Sequence, residues 1–161
     1  MKVTPQSGSI LPQMLSSGRG GSLAAARRHR VELLGTIHAF ERAIAVPSAE
    51  PDWRHHVARR LGRLRQAFTD HVEVTEGSDG LYAELLTAAP RLARAVGVLV
   101  REHVIVVRTL DTFAQRLDDP SIEVERFRGW ASDLLRELSR HRQRGADLVY
   151  EAYATDIGGE T

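Results

Sequence analysis

The sequence contains no cysteine, and this absence excludes several kinds of site. Disulfide bonds, thiolate-bound zinc, cysteine-held iron–sulfur clusters and cysteine nucleophiles all require that residue. Any transition metal must therefore be held mainly by imidazole nitrogens and carboxylate oxygens, the donors that suit iron, manganese or zinc.

Long apolar runs and strongly unbalanced charge are also missing. No run approaches the roughly 20 apolar residues that a membrane-spanning helix needs, and residues 1–13 lack the apolar core of a secretory signal peptide. We therefore expect a cytoplasmic protein without a membrane partner. The formal net charge is +1, from 22 basic and 21 acidic residues, so we expect no nucleic-acid partner.

The motifs of several enzyme classes are absent too. The chain has no Gly-x-Ser-x-Gly nucleophile motif, no His-Glu-x-x-His motif and no glycine-rich phosphate loop. Strand signals are missing as well, because no stretch alternates apolar and polar residues with β-branched enrichment. These absences favour an all-α protein, and we expect no enzymatic activity.

The chain does contain four long segments with apolar residues at helical spacing. They cover about residues 23–45, 51–76, 90–117 and 121–155, with a short extra helix between the second and the third. Residues 1–21 are rich in serine, glycine and proline and are predicted to form a flexible tail. The pattern predicts an up-down-up-down four-helix bundle over residues 22–161.

Each long segment carries one histidine inside its apolar stripe. These residues are His29, His71, His103 and His141. At a rise of ~1.5 Å per residue their heights in the bundle match to about one turn. One such histidine is more often a core residue than a ligand, but four of them favour a shared metal site. Three further histidines lie off the stripes, and we expect them to face solvent or to have structural roles. They are His38, His55 and His56.

The phrases around the four stripe histidines resemble the hemerythrin family, in its broader form the HHE cation-binding domain. The first helix carries RRHRVELLGTIHAFERAI and the second carries DHVEVTEG. The third carries LVREHVIVVRTL, with Glu102 before His103, and the fourth carries ELSRHRQRGADLVYEAY. The resemblance covers about residues 22–155 and rests on the layout of one histidine per helix.

This resemblance implies a non-haem diiron site. It further implies that the site binds dioxygen, or that it senses oxygen, nitric oxide or redox state. The metal ligands that it implies are His29, His71, His103 and His141.

The acids of the implied site depart from the family's pattern. In the family an acid follows the histidines of the second and fourth helices by four or five residues. Here Thr75 and Gly145 stand four residues on, Glu76 follows five residues after His71, and Asp147 follows six residues after His141. Glu76 and Asp147 are therefore the carboxylate candidates, and surface positions are their alternative. Because a helix turns ~100° per residue, Asp147 needs a local distortion near Gly145 to reach the site. Without these acids the site is mononuclear or metal-free.

Two functions remain open from the residues. The first is a metal-binding protein linked to oxygen, nitric oxide or redox sensing, with Glu102 as the candidate partner of the second His103 nitrogen. The second is a metal-free bundle that acts as an interaction or scaffold module. Its arginine-rich second and fourth helices are then either binding faces or ordinary solvated surface. Tyr150 and Tyr153 are candidates for lining a pocket or for packing at the helix end.

Overall fold

The computed structural model describes residues 17–49 and 52–154, and its regular structure in these ranges is entirely helical. The α-helices, in chain order, are α1 (Ser17–Ala45), α2 (Trp53–Glu76), the short α3 (Leu81–Ala88), α4 (Ala93–Leu117) and α5 (Val124–Ala154). A 3-10 turn at Pro90–Leu92 leads from α3 into α4. The predicted all-α class and helical bundle are confirmed.

The four long helices bury their apolar stripes against one another. Helix α1 packs against α2 and α5, α4 packs against the same two helices, and α3 contacts α1, α2 and α5. The buried positions of α2 recur every three or four residues, which is the spacing of one helical face. They are Trp53, Val57, Leu61, Leu64, Phe68, His71 and Thr75.

The core consists of two apolar clusters with histidines between them. The larger cluster includes Phe40 and Phe68, and the smaller one includes Tyr82 and Leu99. Phe68 and Tyr82 both contact the ring of His103, with ring centroids 5.7 and 5.9 Å from it. A polar layer is therefore enclosed between apolar layers, where each imidazole nitrogen needs a partner.

Several helix boundaries differ from those expected. Helix α1 begins at Ser17 rather than after Ser22, so it includes glycines that are poor helix formers. The predicted tail otherwise lies outside the described residues. Helix α5 begins at Val124 because the Asp119 carboxylate accepts hydrogen bonds from the amide and hydroxyl of Ser121, which keep this segment in a turn.

The surface of α5 neutralises part of its own positive charge. Three of its arginines pair with an acid three residues earlier, and pairs of this exposed kind contribute about 0.5 kcal/mol. They are Arg128–Glu125, Arg136–Asp133 and Arg140–Glu137. No helix within residues 17–49 and 52–154 is long and apolar enough to cross a membrane.

Candidate metal centre

Three histidines from three helices converge in the core. His71 of α2, His103 of α4 and His141 of α5 are all buried, with at most 8% of the residue exposed. The Nε2 atom of His141 lies 3.0 Å from that of His103 and 3.2 Å from that of His71. The ligand atoms of the three residues lie within 4.8 Å of one another, so one cation can contact all three.

Aromatic rings hold this cluster in place from two sides. The ring of Phe68, one turn before His71, lies 5.6 Å from His71, 5.7 Å from His103 and 5.9 Å from His141 between centroids. On the other side the Tyr82 ring stacks on His103 with an angle of 11° between the planes. Such packing restricts the rotation of the imidazoles and keeps their orientations fixed.

Two glutamates bind the outward-facing nitrogens of the cluster. The Nδ1 of His103 donates to Glu76 Oε1 at 2.5 Å, and the Nδ1 of His141 donates to Glu102 Oε2 at 2.8 Å. The Glu102 side chain is 14% exposed and also pairs with Arg144, whereas Glu76 is 31% exposed. Carboxylates in this position orient metal-binding imidazoles and raise their basicity.

These hydrogen bonds determine which ring nitrogen faces the centre of the cluster. With the protons on Nδ1, the Nε2 atoms of His103 and His141 both present lone pairs across 3.0 Å. Two lone pairs at this distance repel each other, and a cation between them converts the repulsion into two ligand bonds. The separations of 3.0 and 3.2 Å between the Nε2 atoms are short enough that one cation would contact both nitrogens of each pair.

Burial keeps the three imidazoles neutral at pH 7. Burial, together with smaller electrostatic contributions from His103, His141 and Arg30, lowers the pKa of His71 to about 3. Burial likewise lowers the pKa of His103 to about 3 and that of His141 to about 4. Neutral imidazole is the form that binds metal ions, so protons do not compete for these nitrogens near neutral pH.

The fourth histidine of the predicted set lies outside this cluster. The His29 side chain is 29% exposed, and its Nδ1 lies 3.6 Å from the Glu32 carboxylate. Arg30, the next residue of α1, lines the cavity beside His71 instead. His29 and Arg30 flank the line that joins the buried residues Ala26 and Leu33, so helical spacing alone does not distinguish them.

The acids also occupy positions that differ from those expected. Asp147 is exposed and accepts a hydrogen bond from Gln143 Nε2 at 2.9 Å. Helix α5 continues through Gly145, so the distortion that Asp147 requires does not occur. Glu76 meets the outer nitrogen of His103 rather than the centre. Glu102 partners His141 rather than His103, because consecutive helical residues point ~100° apart.

The remaining histidines agree with the expectation that they lie away from the centre. His38 and His55 are exposed. His56 is partly buried, and its Nδ1 lies 3.5 Å from the Arg59 guanidinium.

A cavity of about 30 Å³ adjoins the cluster between α1, α2, α3 and α5, and we call it the inner cavity. Thr75 and Gly145, each four residues after a cluster histidine, line it together with Tyr82. A Cβ atom added to Gly145 meets no atom within 4 Å. Sequence analysis did not assign Arg30 or Tyr82 to this region, because Arg30 counted only as a neighbour of His29 and Tyr82 lies on the short helix, which has no histidine.

No protein-family model, curated protein or solved structure matches this chain. The resemblance to the hemerythrin family therefore remains an expectation, and the functional argument rests on the three histidines and their surroundings.

Proposed function

We propose that this protein binds one divalent transition-metal ion through His71, His103 and His141. The observation that carries the proposal is the convergence of three buried Nε2 atoms, two of them on rings whose Nδ1 atoms donate to glutamates. An all-imidazole ligand set suits iron, zinc, cobalt, nickel or copper. The resemblance favours non-haem iron among these metals.

The number of ions in the proposal follows from the carboxylates. Two closely spaced cations need bridging anions to offset their repulsion, and neutral imidazole does not bridge them. In the described part of the chain, Glu76 and Glu102 are engaged at outer imidazole nitrogens and Asp147 points to solvent. We therefore propose a mononuclear site rather than the dinuclear one.

The proposal includes the hemerythrin-like, up-down-up-down arrangement of α1, α2, α4 and α5. It also includes a link to dioxygen, nitric oxide or redox sensing. Three protein ligands leave coordination positions free for a small molecule, and the inner cavity supplies space beside His71 and His141. The link to these particular molecules rests on the resemblance.

One observation favours the second candidate, a metal-free bundle with an interaction or scaffold role. Every buried side-chain nitrogen and oxygen among the described residues has a hydrogen-bond partner without a metal. His71 can donate from Nε2 to His141 across 3.2 Å. However, the facing lone pairs of His103 and His141 favour a bound cation over this network.

Metal content distinguishes the two candidates. The protein is purified from iron-supplemented cells and, in parallel, reloaded with ferrous iron, zinc or cobalt, and metal per chain is measured by mass spectrometry. We expect about one ion per chain, which His103→Ala loses and the surface variant His38→Ala keeps. Two irons with oxo-bridge absorption bands would contradict a mononuclear site. If the protein binds no metal under any loading condition, the metal site is refuted and the metal-free bundle is the remaining candidate.

A further inference from the structure

A second cavity lies beside the inner cavity, where α1 and α5 are adjacent. This outer cavity of about 730 Å³ lies at the surface, with Tyr150 and Tyr153 on its wall. Four residues line both this outer cavity and the inner cavity. They are Leu23, Arg27, Arg30 and Val149. The two cavities therefore adjoin, and we call the two together the path toward His71 and His141.

The charged residues along this path are all cationic. Arg27 and Arg30 line both cavities, and Arg142 lines the inner one. No carboxylate of the described residues lines either cavity. The nearby Glu102 is occupied by His141 and Arg144, so it does not neutralise these arginines. A partly enclosed path with charge of one sign concentrates ions of the opposite sign.

The inner end of the path has room for a small ligand. Thr75 and Gly145 leave space next to the imidazoles, and the Thr75 hydroxyl donates to the His71 carbonyl at 2.8 Å. A cavity needs roughly 10–15 Å³ to hold one water molecule, so about 30 Å³ accommodates a ligand of two or three heavy atoms.

The charge of the proposed centre also calls for an anion. Three neutral imidazoles contribute no charge to a divalent ion, and the two glutamates act only through the outer nitrogens. Arg144 offsets Glu102, and Arg30 adds positive charge beside His71. An anion in direct contact with the metal would neutralise this excess, and it would contact the guanidinium that lines the same cavity.

We propose that the inner cavity binds a small XO₂⁻ oxyanion, the class of formate and nitrite, between the metal's open position and Arg30. This inference rests on the proposed metal site and names the ligand that the site takes. The anion itself gives the metal an oxygen ligand, since Thr75 and Gly145 beside the cluster carry no carboxylate. Arg27 and Arg142 guide it along the path, since both line cavities that lead to the cluster.

Cobalt-loaded full-length protein tests this proposal, because the visible absorption of cobalt(II) reports a change in its ligands. Sodium formate or sodium nitrite is titrated at constant ionic strength, with sodium perchlorate as the balancing salt. We expect a saturable spectral change in the wild-type protein. Arg30→Gln should bind cobalt in the same ratio but weaken the apparent Kd for formate at least tenfold. Arg63→Gln, on the exposed face of α2, should not change this Kd.

A second variant tests the location of the anion. Gly145→Glu introduces a carboxylate four residues after His141, in open space, so it should keep cobalt binding and abolish the formate response. Gly62→Glu makes the same substitution at an exposed, equally open position of α2 and should leave the response intact.

The outcomes separate the two proposals. One cobalt per chain without a saturable response to formate or nitrite would overturn the anion site and leave the metal site standing. An Arg30→Gln variant with the wild-type Kd would overturn the pairing with Arg30. A chain that binds no cobalt would overturn both the metal site and the anion site.

Discussion

The Nε2 atoms of His103 and His141 lie 3.0 Å apart while their Nδ1 atoms donate to two different glutamates. Each glutamate keeps the proton of its histidine on Nδ1, so the Nε2 lone pair of that ring points toward the other ring. The arrangement is specific, because it needs acids on two different helices, Glu76 at the end of α2 and Glu102 on α4. Its physical consequence is a pair of facing nitrogen lone pairs in the middle of an otherwise apolar core.

The outer glutamates should determine metal affinity without being ligands. Glu102→Gln and Glu76→Gln each remove the negative charge that orients an imidazole, so we expect the metal Kd to rise ~10–100-fold. The stoichiometry at saturating metal should stay at the wild-type value. Isothermal titration with zinc measures both quantities, and Glu137→Gln on the exposed face of α5 is the control. An unchanged Kd in both variants would contradict the assigned role.

His29 and His71 should differ in their effect on metal binding, although both belong to the histidine pattern of the sequence. His71→Ala removes a buried ligand nitrogen and should abolish stoichiometric binding. His29→Ala removes a partly exposed side chain paired with Glu32, so metal content should stay at the wild-type level. Metal analysis of the two purified variants provides the measurement. Loss of metal in His29→Ala would show that α1 contributes a ligand.

Stability of the metal-free protein should fall as the solution is acidified. The cluster histidines have pKa values of about 3 to 4 in the folded state and 6.5 as their ordinary value, so the unfolded chain binds more protons between these limits. Stability is therefore fully present above pH 6.5 and is lost as the pH falls toward 4. Glu76 acts in the opposite direction, because burial raises the pKa of its carboxyl.

Urea unfolding at pH 7.0, 6.0 and 5.0 measures this loss at pH values above those at which most carboxylates take up protons. A His141→Leu variant has one imidazole fewer to protonate and should show a smaller decrease over the same interval. If the free energy of unfolding decreased with falling pH equally in the variant and in the wild-type protein, the loss could not be assigned to the histidine cluster.

Phe68 should support both the fold and the cluster. Its side chain is fully buried and contacts all three histidine rings. Phe68→Ala leaves a cavity and should lower the free energy of unfolding by about 3–5 kcal/mol. Metal affinity should fall as well, because the imidazoles lose the surface that orients them. Phe68→Leu retains most of the volume, so chemical denaturation should show a smaller loss.

Gly62 should accept alanine with a gain in stability. It lies on the exposed side of α2, and an added Cβ meets no atom within 4 Å. Alanine loses less backbone entropy on forming a helix, so Gly62→Ala should raise the free energy of unfolding by about 0.5–1 kcal/mol. Thermal unfolding measures the gain, and metal content should not change. A lower midpoint would indicate a contact at this position that the structure does not contain.

The sequence predicted much of the helical layout because helix formation follows local spacing. In α2 and α4, apolar residues every three or four positions define one buried face, and His71 and His103 fall on that face. The ends were less predictable, since α1 begins at Ser17 within a glycine-rich stretch, where residue propensities disfavour a helix.

The candidate site was only partly predictable for the same reason. Spacing identified His71, His103 and His141, which the structure brings together. It did not distinguish His29 from Arg30, because both flank the stripe of α1 and only the rotation of that helix against its neighbours separates them. Glu76 was recognised as relevant, but its role at an outer nitrogen depends on the distance between α2 and α4.

The sequence by itself determined the helical class, the buried faces and the exclusion of thiolate chemistry, because these depend on residue type and on spacing along one helix. Tertiary structure alone decided that three imidazoles meet, that Glu76 and Glu102 bind them from outside, and that arginines line the path between α1 and α5. These features depend on the relative rotation and distance of helices far apart in the chain, and packing of the complete core sets both.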